Sequence, residues 1–222
     1  MATSPLPPLM QRHRYALLFC ALLATVTIGP LLEALSFGHR FMELLLCASL
    51  IAAVFPVGRR LQRYVLLTLV LVVQLLRWLA SDAHPGALSI LAAVLWCGLG
   101  ALAAYHAVRY SLSSVNVQAE QFYAALSAYL LLGICGGVIF ATLSAYAPGS
   151  MLVGGQVARS GLGIGDSIYF SFVTLATLGY GDITPASRVM RGLAVLEAIV
   201  GQLYLALLVA RLVGLRSAAH SQ

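Results

Sequence analysis

The chain has no lysine, only seven acidic residues and no cysteine outside an apolar run. Charged residues make up 9% of its 222 positions and hydrophobic residues 61%. A soluble domain devotes about a quarter of its positions to charge, so this balance excludes ordinary soluble globular usage and points to a membrane. Cys20, Cys47, Cys97 and Cys135 all fall inside apolar segments. They are poorly placed for disulfides and read as small buried hydrophobes. All 13 basic residues are arginines, and we attach no function to the absence of lysine. The net charge of +6 does not imply a nucleic-acid partner. The arginines sit at the ends of apolar runs, where they suit membrane topology and anionic lipid head groups. Paired catalytic carboxylates, His/Cys metal spacing, a nucleophile motif and a phosphate loop are also missing, so no enzyme and no cofactor are expected. No internal repeat is visible.

What the chain does have is long apolar runs. Windows fall at Tyr15–Leu35, Phe41–Val57, Tyr64–Leu79, Ala87–Val108, Phe122–Tyr146 and Val189–Leu215. A helical span needs roughly 20 apolar residues, so the second and third windows must recruit their flanks. The N-terminal stretch before Tyr15 is Pro-rich and carries Arg12 and Arg14, but the run after it is long for a signal peptide and reads as an uncleaved span. Six spans put both termini on one side. That side holds Arg12, Arg14, Arg59, Arg60, Arg63, Arg109, Arg211 and Arg216; the other holds Arg40, Arg77, Arg159, Arg188 and Arg191. The bias predicts cytoplasmic termini. The polar stretch Ser111–Gln121 reads as a boundary between residues 1–115, four helices, and residues 116–222. The chain beyond the sixth window is too short to expect a cytoplasmic ligand-binding domain.

Between the fifth and sixth windows, Ala147–Gly165 holds six glycines and a proline and reads as a flexible turret. Asp166–Ala176 reads as a helix too short to cross the membrane, with Asp166 and Ser167 as start residues. Thr184-Pro185 reads as the cap and first turn of the last helix. Between them lies Thr174-Leu-Ala-Thr-Leu-Gly-Tyr-Gly-Asp182. A dehydrated cation needs a ring of oxygens in place of its water, and stacked backbone carbonyls supply one. Aiming successive carbonyls the same way requires left-handed angles at alternate residues, which Gly179 and Gly181 adopt at little cost. Leu178 and Tyr180 would then point away from the axis. One chain gives one quarter of such a ring.

This run resembles the signature of the potassium channel family, matching Thr-x-x-Thr-x-Gly-Tyr-Gly-Asp at Thr174, Thr177, Gly179, Tyr180, Gly181 and Asp182. It departs from the usual pattern at Leu178, where valine is common. The resemblance covers roughly the last 100 residues. It implies an all-α membrane protein with six transmembrane helices. A re-entrant pore helix and selectivity-filter loop would lie between the fifth and sixth, in a tetrameric pore. It implies potassium coordination by Thr177, Leu178, Gly179, Tyr180 and Gly181, with Asp182 at the outer mouth. The implied partners are three further copies, permeant potassium and membrane lipids, anionic ones included; the implied location is the plasma membrane. A weakly selective cation pore and a non-conducting scaffold or sensor are the alternatives.

Around the filter, Thr174, Phe170 and Glu197 are read as support. Tyr169, Phe170 and Phe172 form an expected aromatic cuff about Tyr180. Glu197, deep in the last window, is costly facing lipid and is expected to bond Ser171 or Thr174. Gly201 reads as a hinge or a close helix contact. Gln202 reads as part of the cavity wall below the filter, or as helix packing. The channel family's Glu partner for the filter Asp is replaced by Val173. The fourth window has no arginine inside it, which argues against a voltage sensor.

Overall fold

A computed structural model describes residues 13–34, 38–54, 56, 60–81, 86–113 and 119–220. Among these residues there are seven helices and three short strands. The first four helices are α1 (Arg14–Ala34), α2 (Gly38–Val54), α3 (Arg60–Ser81) and α4 (Ala87–Ser111). They are followed by α5 (Ala119–Tyr146), β1 (Met151–Val153), β2 (Gln156–Val157), α6 (Ile164–Leu175), β3 (Ile183–Pro185) and α7 (Arg188–His220). Among the described residues, three stretches are long and apolar enough to cross a membrane: Ala87–Ser111, Ala119–Tyr146 and Arg188–Arg211. Shorter apolar stretches occupy Arg14–Gly29 and Phe41–Val54. Arg60, Arg63 and Arg77 dilute α3.

Local signals set several boundaries. At the start of α4, the Gly86 N–H donates to Ser89 Oγ at 3.3 Å, and Arg109 lies in its last turn, where a cation offsets the helix dipole. Pro148 follows the end of α5 by two residues and cannot donate a continuing helical bond. The helix α6 is 12 residues, about 18 Å long, and so is too short to span.

The four N-terminal helices pack directly onto the rest. Helix α1 lies along α2 and α5, and α4 lies along both α3 and α5. One apolar core runs through all of them, from Leu18 and Leu22 through Trp96 to Leu131, Ile134, Val138 and Ile168. At the ends of α1, α4 and α5, Tyr15 stacks on Tyr110 with centroids 4.5 Å apart, and the Tyr15 N–H donates to Glu120 Oε2 at 3.0 Å. The polar boundary at Ser111–Gln121 therefore separates two helix sets that share a core. Its residues 114–118, and the Arg59 cluster's loop residues 57–59, lie outside the described residues.

Three boundaries correct the sequence reading. The turret is not a loose loop: β1 pairs antiparallel with β2 and β3 in the order β2-β1-β3, with Met151 opposite Pro185 and Val153 opposite Ile183. Gly154 and Gly155, at φ 56° and 78°, make the tight turn between β1 and β2, which is why glycines concentrate there. Thr184-Pro185 belongs to β3 rather than to the last helix. The true cap is Ser187, whose Oγ accepts the Met190 N–H at 3.2 Å. Helix α6 begins at Ile164 with Gly163 as its cap residue, and Asp166 lies in its first turn.

Candidate pore and selectivity filter

The candidate filter run, 177–181, is held by what flanks it. Helix α6 ends at Leu175, and its last carbonyls are taken by the chain that leaves it. Ala176 N–H donates to Phe172 O (3.0 Å), Thr177 N–H to Thr174 O (3.0 Å) and Leu178 N–H to Val173 O (2.8 Å). On the far side, the β1–β3 pairing fixes the strand after Asp182, and Gly154 N–H donates to the Asp182 carbonyl at 2.7 Å. The turret thus clamps the end of the run that follows Gly181.

Between these anchors the backbone alternates. Thr177, Gly179 and Gly181 have φ of 55°, 59° and 79°. Thr177 is the one non-glycine residue with positive φ among the described residues. A side-chain-bearing residue in that region is strained, and such strain persists only where the surroundings impose it. Sequence reasoning placed left-handed angles at the two glycines and missed the third, because threonine does not advertise that conformation. Leu178 and Tyr180, the residues between, are exposed on the single chain.

Tyr180 stacks on Tyr169 with ring centroids 6.5 Å apart, and Tyr169 Oη donates to Asp182 Oδ2 at 2.8 Å. That hydrogen bond holds the Asp182 carboxyl below the usual carboxylate range. The expected cuff is reduced to this one tyrosine. Phe170 turns inward instead, packing edge-on against Phe140 at 4.9 Å in a small core with Met151, Ile183 and Met190. Phe172 lies over Gly133 of α5. Successive residues on a helix point about 100° apart, so α6 cannot turn all three rings toward one neighbour.

Behind α6, Ser171 Oγ donates or accepts at two places: 2.6 Å from the Gly133 carbonyl and 2.5 Å from Glu197 Oε1. Glu197 thus meets Ser171; Thr174 contributes its carbonyl to Thr177. Gly201 lies against the Leu175 carbonyl, so close that a Cβ there would collide with it. Gln202 Nε2 donates to Thr177 Oγ1 at 3.4 Å, at the first residue of the candidate filter run. Tyr204 Oη donates to the Ala125 carbonyl at 2.6 Å and ties α7 to α5.

Two features gave no signal in the sequence reading. Gly133, Gly136 and Gly137 form a notch on one face of α5 that receives Phe172, Glu197 with Ser171, and Ile168. Their spacing is the small-residue pattern of close helix contacts. In the N-terminal half, Arg77 of α3 pairs with Glu43 of α2 at 3.2 Å, both side chains nearly buried, with Gln74 Nε2 3.4 Å from Glu43 Oε2. The partners are distant in sequence, so no local pattern reveals them.

Residues 125–215 match the protein-family model described as "Ion channel". Protein LctB of Bacillus caldotenax is 48% identical over 48 residues, which is 22% of this chain and 35% of LctB. The matched part thus spans about a third of that relative's length. No solved structure matches significantly.

Proposed function

We propose, from the match of residues 125–215 to the ion channel family model, that this membrane protein conducts potassium selectively and passively as a homotetramer. The observation that carries the reading is the alternation of left-handed angles at Thr177, Gly179 and Gly181. It is the backbone pattern that turns successive carbonyls toward one axis, where four copies would complete each oxygen ring. The permeant ion would be held by Thr177, Leu178, Gly179, Tyr180 and Gly181, with four Asp182 carboxylates concentrating cations outside. Helix α7 leaves Leu196, Ile199, Leu203 and Leu207 uncovered on the single chain. That apolar face supports burial against neighbouring subunits and lipid. Six spans with cytoplasmic termini in the plasma membrane, in contact with anionic lipids, complete the proposal.

Flux from liposomes containing the purified protein tests it. Potassium and rubidium should pass, sodium should pass poorly, and barium should block. Barium resembles potassium in size but carries twice the charge, so the same oxygens release it slowly. Equal sodium and potassium flux would favour the weakly selective pore, and absence of flux the scaffold.

Weak voltage dependence is expected. Helix α4 carries only Arg109, in its last turn, and Arg77 of α3 is held in a nearly buried ion pair. Each charge moved through the whole field is worth about 2.3 kcal/mol per 100 mV. With no series of such charges along α4, open probability should change little across moderate voltages. A steep conductance–voltage curve, with several gating charges per subunit, contradicts this.

A further inference from the structure

Behind the pore helix one hydroxyl stands between two oxygens. Ser171 Oγ lies 2.6 Å from the Gly133 carbonyl oxygen and 2.5 Å from Glu197 Oε1. A serine hydroxyl has one proton to give, and a backbone carbonyl can only accept. An ionised carboxylate can only accept as well. With Glu197 ionised, a single proton would serve both short contacts, and one would set lone pair against lone pair. The count closes when the carboxyl keeps its proton. Glu197 Oε1–H then donates to Ser171 Oγ, and Ser171 donates to Gly133.

A second observation agrees. Glu197 Oε2 is buried with no hydrogen-bond partner. Half of a carboxylate charge left there without a donor is far costlier than the carbonyl oxygen of a neutral acid. Among the described residues, no cation compensates from the packed elements. Helix α5 presents Tyr129. Helix α6 carries Asp166 in its first turn and Tyr169, whose hydroxyl goes to Asp182. On α7, Arg191 Nε is turned outward to the Pro185 carbonyl. The niche is also shaped for the carboxyl: a Cβ on Gly136 would collide with Glu197 Oε1.

We infer that Glu197 is a proton-donating positioning residue, a neutral acid that links the inner helix α7 through Ser171 to the Gly133 carbonyl of α5, and that loss of its proton breaks one end of this link, leaving Ser171 a single proton for two acceptors. The inference rests on the channel reading for its effect on flux but not for the proton itself. Raising the pH removes the donor, so support for the filter is present at low pH and lost as pH rises.

The test uses the full chain in liposomes, with rubidium flux followed from mildly acidic to alkaline pH and infrared spectra taken alongside. The parent should lose flux several-fold as pH rises and recover when it is lowered. Glu197→Gln carries a permanent N–H donor and should conduct with a flat pH profile, whereas Glu197→Ala should conduct poorly throughout. The parent should show the carbonyl stretch of a protonated carboxylic acid at neutral pH, absent in Glu197→Gln and shifted in Ser171→Ala. If the glutamine variant does not assemble, the pH titration of that band and its shift in Ser171→Ala decide. An alkaline fall shared by Glu197→Gln, or no protonated-acid band in the parent, overturns the inference. A band without rubidium flux at any pH leaves the proton site standing and removes the channel reading.

Discussion

Gly179→Ala is expected to abolish nearly all potassium flux, while Thr177→Ala keeps part of it. Gly179 sits at φ 59°, where a Cβ is opposed by the backbone itself. Within the single chain the penalty is conformational, since nothing lies within 4 Å of where that Cβ would stand. It amounts to roughly 1–2 kcal/mol per residue, and a complete ring needs four copies in register, so roughly 4–8 kcal/mol opposes the conducting arrangement. At 1.36 kcal/mol per factor of ten, that leaves roughly a thousandth or less of the channels with an intact ladder. Thr177, at φ 55°, already holds its angle with a Cβ present. Thr177→Ala therefore adds little backbone strain; it removes the hydroxyl that Gln202 reaches and the side-chain oxygen of the innermost site. Its channels should pass potassium at a reduced rate and resist barium block. Rubidium flux and single-channel recording, on protein whose tetramer is verified by sizing, give the comparison. Normal conduction by Gly179→Ala would remove the carbonyl-ladder account.

The legible parts of this molecule were those written in consecutive residues. The candidate filter run stood out for its two glycines at fixed spacing, which the backbone does hold at positive φ, and α6 was visible as an apolar segment too short to span. The turret was misread because its glycines were taken as looseness. Val153-Gly-Gly-Gln-Val157 is a hairpin pattern, with glycines at the turn and strand formers on both sides. Two capping signals competed before α7; Thr184-Pro185 lost to Ser187 because β1 pairs with Thr184 and holds it extended. Phe170 was assigned by proximity in sequence, whereas helical geometry turns it toward Phe140. Contacts between distant segments gave no warning. The Glu43–Arg77 pair and the α5 glycine notch depend on how helices meet, which residue pattern alone does not specify.

Gly137→Ala should separate the pore helix from α5 and cost the channel its assembly and its selectivity together. A Cβ on Gly137 would stand 2.5 Å from Ile168 Cγ1, 2.6 Å from its Cα and 2.9 Å from its backbone N. A side chain can rotate away, but the α6 backbone cannot, so one helix must move by a substantial fraction of an ångström. Overpacking of this kind costs about 1–3 kcal/mol per site, and here it displaces the helix whose end fixes Thr177 and Leu178. Gly98→Ala and Gly192→Ala are the matched controls, since nothing lies within 4 Å of a Cβ at either position. Within a helix the same exchange favours alanine by up to about 1 kcal/mol, so those variants should be as stable as the parent or more so. Thermal stability of the oligomer and the sodium-to-potassium flux ratio read the two effects separately. If Gly137→Ala matches its controls in both, the glycine notch is not what seats the pore helix.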